Sequence, residues 1–205
     1  MKKESILQKQ LRSLLAKRAL ILGHITLSSG NTSNHYFDCK RVTLNSVGAE
    51  LVGKVVLDEI ERLPEKVGAV GGLNTGADPI IGAVMMEARQ RGIALDGFYV
   101  RSQPKSHGTK RVVENSPPKG TNVVIVDDVV TGGGSVLKAV AGAQEEGCKV
   151  VAVITLVDRL EGGGEKIKEK VGIYRPLYTL KDFHRELAEC QHTTKYETPS
   201  EMACT

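Results

Sequence analysis

The 205-residue chain has no run of the ~18 apolar residues that a membrane-spanning helix needs. Its cysteines, Cys39, Cys148, Cys190 and Cys204, are few and far apart. With no CxxC pair and no histidine at metal-ligand spacing, neither a zinc site nor a dense disulfide framework is indicated, and the reducing cytoplasm is the simplest compartment. Charge of one sign is not in excess either: 28 Lys and Arg face 24 Asp and Glu, a net +4, with no long basic run. Duplex binding relies on clustered cations that displace counterions, so a nucleic-acid partner is not expected. The start has basic residues, but Gln10, Arg12, Lys17 and Arg18 interrupt its apolar positions. That spacing suits an amphipathic helix and not a signal peptide.

What is present is alternation. Ile6, Leu7, Leu11, Leu14 and Leu15 recur at helical spacing, so residues 4–19 read as a helix with one packed face. "HITLSSGNTSNHYFDCKRVTL" reads as two short extended pieces around a turn, and from Ser46 an apolar helix face runs to Leu63, where Pro64 closes it. Beyond it, "VGAVGGL", "IALDGFYVR", "NVVIVDD", "KVVAVITLVDR" and "IYRPLYTL" read as strands. Helices are expected over "ADPIIGAVMMEARQRG", "GSVLKAVAGAQEEG", "EGGGEKIKEKVG" and "KDFHRELAEC". Short Val- and Ile-rich strands, apolar on both faces and alternating with helices, predict an α/β domain on a mainly parallel sheet covered on both sides. One domain over residues 1–190 is expected, followed by a polar, disordered tail over 191–205. Met85 and Met86 fall within a helix and read as core, and His24, His35, His184 and His192 show no partner pattern.

The stretch "VVIVDDVVTGGGS", residues 123–135, feeds a strand through a glycine turn into a helix. Free backbone N–H groups and the helix dipole converge at such a turn and suit an anion. The same shape recurs at "VITLVDRLEGGGEKIKE", with Gly162 to Gly164, so glycines alone do not decide the matter. The first copy adds Asp127 and Asp128 ahead of the turn and Thr131 and Ser135 around it. Hydroxyls suit a phosphate and carboxylates suit a vicinal diol, which together suggest a ribose phosphate. The stretch lacks the Lys of GxxxxGK[ST] and lacks GxGxxG, so neither a triphosphate P-loop nor dinucleotide binding is supported. From the residues alone, acids that merely cap a helix ahead of a permissive turn remain the alternative.

That stretch resembles the phosphoribosyl-pyrophosphate signature of the type I phosphoribosyltransferases. More narrowly, "ITLSSG", "YFDCKR", "VGGLNTGADPI", "VRSQPKSHG" and "VITLVDRLEGG" follow the order and spacing of the orotate phosphoribosyltransferases, over roughly residues 10–185. The resemblance implies the type I phosphoribosyltransferase fold, with a small hood from about 1–45 and 174–185. It also implies transfer of a phosphoribosyl group from phosphoribosyl pyrophosphate to orotate in the synthesis of UMP. In that family Asp127 and Asp128 would hold the ribose hydroxyls. The backbone of Val129, Val130, Thr131, Gly132, Gly133, Gly134 and Ser135 would hold the 5′-phosphate, and Thr75 and Gly76 would form the pyrophosphate loop. Arg101, Lys105 and His107 would contact the phosphoribosyl pyrophosphate, Lys105 and His107 on a lid shared across a homodimer. Lys105, His107, Asp127 and Asp128 would be catalytic. Arg159, Tyr36, Phe37 and Thr131 would meet orotate. Mg²⁺ is implied as cofactor, held by pyrophosphate and water with no direct protein ligand. One departure stands out: Ser102 occupies a place where the family usually has Lys, which removes an expected pyrophosphate contact. Two other functions stay open on the sequence: transfer to a different nucleobase, or a regulator that senses phosphoribosyl pyrophosphate without turning it over.

Overall fold

A computed structural model of the chain describes residues 4–26, 32–103 and 112–193. The first helix, α1 (Ile6–Arg18), opens on a capping box: the Ser5 hydroxyl accepts from the Gln8 N–H at 3.1 Å and the Gln8 side chain accepts from the Ser5 N–H at 2.9 Å. Its stripe buries Leu11 and Leu15 completely. Strands β1 (Leu20–Thr26) and β2 (Thr32–Phe37) pair antiparallel as a separate two-stranded sheet. β1 starts four residues earlier than the periodicity suggests, because Leu20 to Leu22 already pair with β2. The short α2 (Lys40–Thr43), which was not foreseen, is followed by α3 (Ser46–Glu61), whose N-cap Asn45 accepts from the Gly48 N–H at 3.2 Å.

The central sheet is built from β3 (Ala69–Leu73), β4 (Asp96–Val100), β5 (Val113–Glu114), β6 (Asn122–Val130), β7 (Lys149–Asp158) and β8 (Tyr174–Thr179), in the order β5-β4-β3-β6-β7-β8. Every pairing is parallel except that of β4 with the two-residue edge strand β5. The crossovers are α4 (Asp78–Gln90), α5 (Gly134–Glu145) and α6 (Gly163–Val171). Successive strand residues face opposite sides, so β6 sends Val124 and Val126 into the core under α1, α3 and α4, and Val123 and Ile125 into the core under α5 and α6. Both faces are thereby covered, as the apolar strands predicted.

A 3₁₀ turn (Leu180–Phe183) and α7 (His184–Thr193) end the described chain. The helix runs through Gln191 to Thr193, beyond the point at which a disordered tail was expected to begin; the rest of that tail lies outside the described residues. Phe183 is fully buried and meets Phe37 edge-on, with ring centroids 5.0 Å apart, and Tyr178 at 6.1 Å. The Tyr178 hydroxyl donates to the Gln8 carbonyl at 2.6 Å. These contacts bind the N-terminal helix and hairpin to the C-terminal edge of the sheet. Met86, read as core, is instead 64% exposed, because the packed face of α4 is carried by Ile80, Ile81, Val84 and Ala88, with Met85 only partly buried.

Candidate active site

Chain order reverses between β3 and β6: from β3 the sheet grows outward to β4, and from β6 it grows the other way to β7 and β8. In an open parallel sheet the loops at such a switch point diverge to opposite faces and leave a crevice at the carboxyl ends of the strands. Here the two diverging segments are 74–77, after β3, and 131–133, after β6.

Asp127 and Asp128 lie near the carboxyl end of β6, beside this crevice. Asp127 is buried and Asp128 is half-buried. Each acid folds back on the next residue: Asp127 Oδ1 accepts from the Asp128 N–H at 3.0 Å, and Asp128 Oδ1 accepts from the Val129 N–H at 2.9 Å. Burial, and next the charge of Asp128, push the Asp127 carboxyl up to about 7; the backbone hydrogen bond and Lys40 act against this. From across the crevice Gly76 presses on both acids. A Cβ there would lie 2.7 Å from Asp127 Oδ1 and 2.7 Å from Asp128 Oδ1, so only glycine lets this backbone approach. Thr75 beside it is exposed.

The turn after β6 enters α5 through Gly133, at φ 81, and no side chain caps the helix. Its first amides are therefore left for a ligand or water. Thr131 is half-buried, Gly132, Gly134 and Ser135 are exposed, Val129 is half-buried, and the Val130 side chain belongs to the core. Arg159, directly after β7, is only 6% exposed; its N–H donates to the Val130 carbonyl at 2.9 Å and its guanidinium pairs with Glu161 at 2.9 Å. His35, on β2, is close enough to both to feel their charges: burial and then Arg159 lower its pKa, while Glu161 acts the other way. A cation and an imidazole thus stand together on the hairpin side, while Tyr36, on the other face of β2, is exposed and close enough to Lys40 to act on its charge.

A family profile described as "phosphoribosyl transferase domain" matches residues 43–187. The orotate phosphoribosyltransferase of Rhodopirellula baltica is 42% identical over 178 residues, covering 85% of this chain and 92% of that one. The chain belongs to the orotate phosphoribosyltransferase family. The orotate phosphoribosyltransferase of Streptomyces coelicolor is 44% identical over 164 residues, covering 80% of this chain and 89% of that one. Among solved structures, orotate phosphoribosyltransferase of Mycobacterium tuberculosis in complex with phosphoribosyl pyrophosphate matches with a TM-score of 0.72 at 32% identity, over 87% of this chain and 99% of that one. Its complex with inorganic phosphate matches with a TM-score of 0.75 at 33% identity, over 88% and 99%.

Within this member of the family, Asp127, Asp128, Thr75, Gly76 and the turn from Val129 to Ser135 come together at one crevice. Phe37 does not join them: β2 alternates, so Tyr36 faces out while the Phe37 ring packs on Phe183 in the core. Arg101 is turned to the sheet edge, its Nε donating to Glu114 Oε1 at 2.8 Å and its guanidinium 5.6 Å from the centre of the Tyr99 ring. Lys105 and His107 lie outside the described residues. Ser102 is held through both of its backbone polar groups: its N–H donates to Asn74 Oδ1 at 3.0 Å, and Lys138 of α5 donates to its carbonyl.

Two site residues had escaped the sequence reading. Lys40 of α2 reaches Asp128 Oδ2 at 3.5 Å, and this carboxylate raises the Lys40 pKa. A lone Lys in a four-residue helix carries no signal of its own; only its place inside "YFDCKR" could have marked it. His35 had no local partner because Arg159 and Glu161 are distant in the chain. Among the described residues, no group of three or more His, Cys, Asp or Glu is arranged to hold a metal, and no helix is long and apolar enough to cross a membrane.

Proposed function

We propose that this protein transfers the 5-phosphoribosyl group of phosphoribosyl pyrophosphate to orotate, giving orotidine 5′-phosphate and pyrophosphate in the pyrimidine route to UMP. The observation that carries the proposal is the convergence of the Asp127–Asp128 pair, the uncapped start of α5 and Gly76 at the switch point of the sheet. Few other ligands need a diol acceptor, a phosphate cradle and a second anion-binding loop so close together.

In the reaction the orotate ring nitrogen gives up its proton, to the leaving pyrophosphate or to water, and bonds to the anomeric carbon as the bond from that carbon to the pyrophosphate oxygen breaks. Positive charge grows on the ribose ring and negative charge on the leaving group, and fixed groups aimed at those charges lower the barrier. Asp127 and Asp128 accept from the ribose hydroxyls and favour the cationic ring. The amides from Val129 to Ser135, with the Thr131 and Ser135 hydroxyls, hold the 5′-phosphate, while Thr75 and Gly76 receive the pyrophosphate. Arg159 and Tyr36 take the carboxylate and ring of orotate, with Thr131 at the boundary between the two substrates. Arg101, released from Glu114, and Lys105 and His107 supply cations over the leaving group.

Mg²⁺ prefers hard oxygens and retained water. The half-buried Asp128 carboxylate beside Gly76 is of that type, so Mg²⁺ held by pyrophosphate oxygens and water fits beside the acid pair. When bound, it neutralises charge on the departing pyrophosphate. A homodimer accords with exposed apolar side chains just after α2 and on α3 and α4: Leu44 is 72%, Val47 58% and Met86 64% exposed. The cytoplasm suits the free, buried Cys39 and Cys148.

The test is to mix the purified protein with Mg²⁺, phosphoribosyl pyrophosphate and orotate and follow loss of orotate absorbance, with uracil and hypoxanthine as controls. Turnover of orotate alone is expected. Turnover of another base in its place, or binding of the sugar phosphate without turnover of any base, would overturn the proposal.

A further inference from the structure

The second glycine turn, 162–164, lacks the hydroxyls and the paired acids of the first, yet it too carries a strand into a helix through a left-handed glycine. Gly133 and Gly162 both enter their helices in the left-handed region, at φ 81 and φ 85. The register of β6 and β7 pairs Val130 with Asp158, so the two turns leave the sheet side by side. They also touch. A Cβ on Gly163 would lie 2.3 Å from the Thr131 carbonyl oxygen, 2.7 Å from the Gly133 nitrogen and 2.7 Å from Val130 Cγ1. Seen from the other side, a Cβ on Gly133 would lie 3.1 Å from the Gly163 carbonyl oxygen and 3.2 Å from its Cα. At Gly132, Gly134 and Gly162 a Cβ would meet nothing within 4 Å. Of the six glycines, then, 133 and 163 are in contact backbone to backbone across the two turns.

We propose that Gly163 is a positioning residue for the ribose-phosphate loop: its bare backbone is the surface against which Thr131 to Gly133 are set. The inference rests on the phosphoribosyl reading of that loop. The Thr131 carbonyl oxygen is the atom nearest the bare face of Gly163. In a trans peptide the carbonyl and the following N–H point in opposite directions. An oxygen directed at Gly163 therefore aims the Gly132 N–H away from it, toward the open side of the turn, where a phosphate oxygen would accept it.

Which turn gives way when a methyl is placed between them follows from what lies behind each. The α6 turn is fastened: the Leu160 N–H donates to Asp158 Oδ1 at 2.7 Å, the Tyr174 hydroxyl donates to Asp158 Oδ2 at 2.9 Å, and Ile167 is fully buried. The other turn has open space beside Gly132 and Gly134. A side chain at 163 therefore displaces Thr131 to Gly133 and rotates the amides away from the phosphate. The same contact joins the two substrates, because Arg159 opens the α6 turn and its N–H is bonded to Val130. The phosphate loop and the orotate cation share one rigid wall.

Ribose 5-phosphate is the probe, with calorimetric titration of the unaltered protein, Gly163→Ala and Gly162→Ala. Losing one backbone hydrogen bond to a phosphate oxygen corresponds to roughly a tenfold or greater loss of affinity, which is expected for Gly163→Ala. Gly162→Ala places a methyl in the same turn but in open space. It should lower the melting temperature through backbone strain and leave the affinity within about twofold. In the unaltered protein, ribose 5-phosphate should slow amide exchange at 161–165 as well as at 131–135, a readout that needs no variant to fold. Equal affinity of Gly163→Ala and the unaltered protein, or protection confined to 131–135, would overturn the inference alone. Failure of the unaltered protein to bind ribose 5-phosphate would overturn the phosphoribosyl reading, and this inference with it.

Discussion

Asp127→Asn keeps the shape of a buried side chain and removes its charge. The Asn carbonyl can still accept from the Asp128 N–H, now at 3.0 Å, so the variant isolates the ionisation. Burial and the neighbouring Asp128 raise the Asp127 carboxyl from the ordinary value of ~3.9 to about 7. A raised pKa means that the stability this group contributes is fully present below about pH 4 and is lost as the pH climbs through about 7. Above that range the ionised group costs the fold on the order of 4 kcal/mol. At roughly 2–4 °C per kcal/mol for a chain of this size, Asp127→Asn should melt up to ~8–16 °C above the parent at pH 8.5. The gap should shrink as the pH falls below about 7 and close near about pH 4. Scanning calorimetry of both proteins across this range measures it, and the parent's kcat/KM for phosphoribosyl pyrophosphate should rise through about pH 7 as the acceptor ionises. A gap independent of pH, or an Asn variant less stable than the parent at pH 8.5, would refute the reasoning. Read this way, the acid is kept for chemistry against the preference of the fold.

Phe183→Ala empties the space between Phe37 and Tyr178 and should destabilise by about 3–5 kcal/mol in chemical denaturation; a loss below about 1 kcal/mol would mean that the ring is not the clasp described. Arg159→Gln should raise the KM for orotate by ~10-fold or more while calorimetry finds ribose 5-phosphate affinity within about twofold, since the charge lost is the one assigned to the orotate carboxylate. Lys40→Met removes a cation that helps Asp127 ionise, so the acidic limb of the pH profile should move to higher pH, and Lys40→Arg should restore it. An unmoved limb in Lys40→Met would reduce Lys40 to a surface ion pair.

Much of this architecture is legible in local pattern. Val- and Ile-rich runs of strand length alternating with helical faces dictate a covered parallel sheet, and its longer strands and crossover helices formed where the periodicity placed them, whereas β1 begins four residues early and α2 was not foreseen. The acid pair and its turn suggested a ribose phosphate from chemistry and order, with helix capping left as the alternative on the residues alone. What could not be read depends on contacts between distant segments. Strand β5 is two residues long and exists only because β4 offers an edge. Phe37 and Tyr36 are indistinguishable as neighbours in sequence; the pairing of β2 with β1 and the presence of Phe183 decide which of them faces the core. Lys40 acquires meaning through a carboxylate 88 positions away. The second glycine triplet looks like a copy of the first in sequence, and only the register of β6 and β7 sets it beside the first turn.

The clasp between the ends of the chain also bears on the order of assembly. Phe37 and the hairpin are made early, but the ring that fixes them, Phe183, and the hydroxyl that ties α1 to the sheet, on Tyr178, come more than 140 positions later. Closing so long a separation is slow, and chains emerge N-terminus first. The phosphate side of the crevice, built from the adjacent β6 and β7, can form before that closure. The hairpin side, with His35 and Tyr36, waits for it, so a nascent chain should acquire its sugar-phosphate pocket before its base pocket.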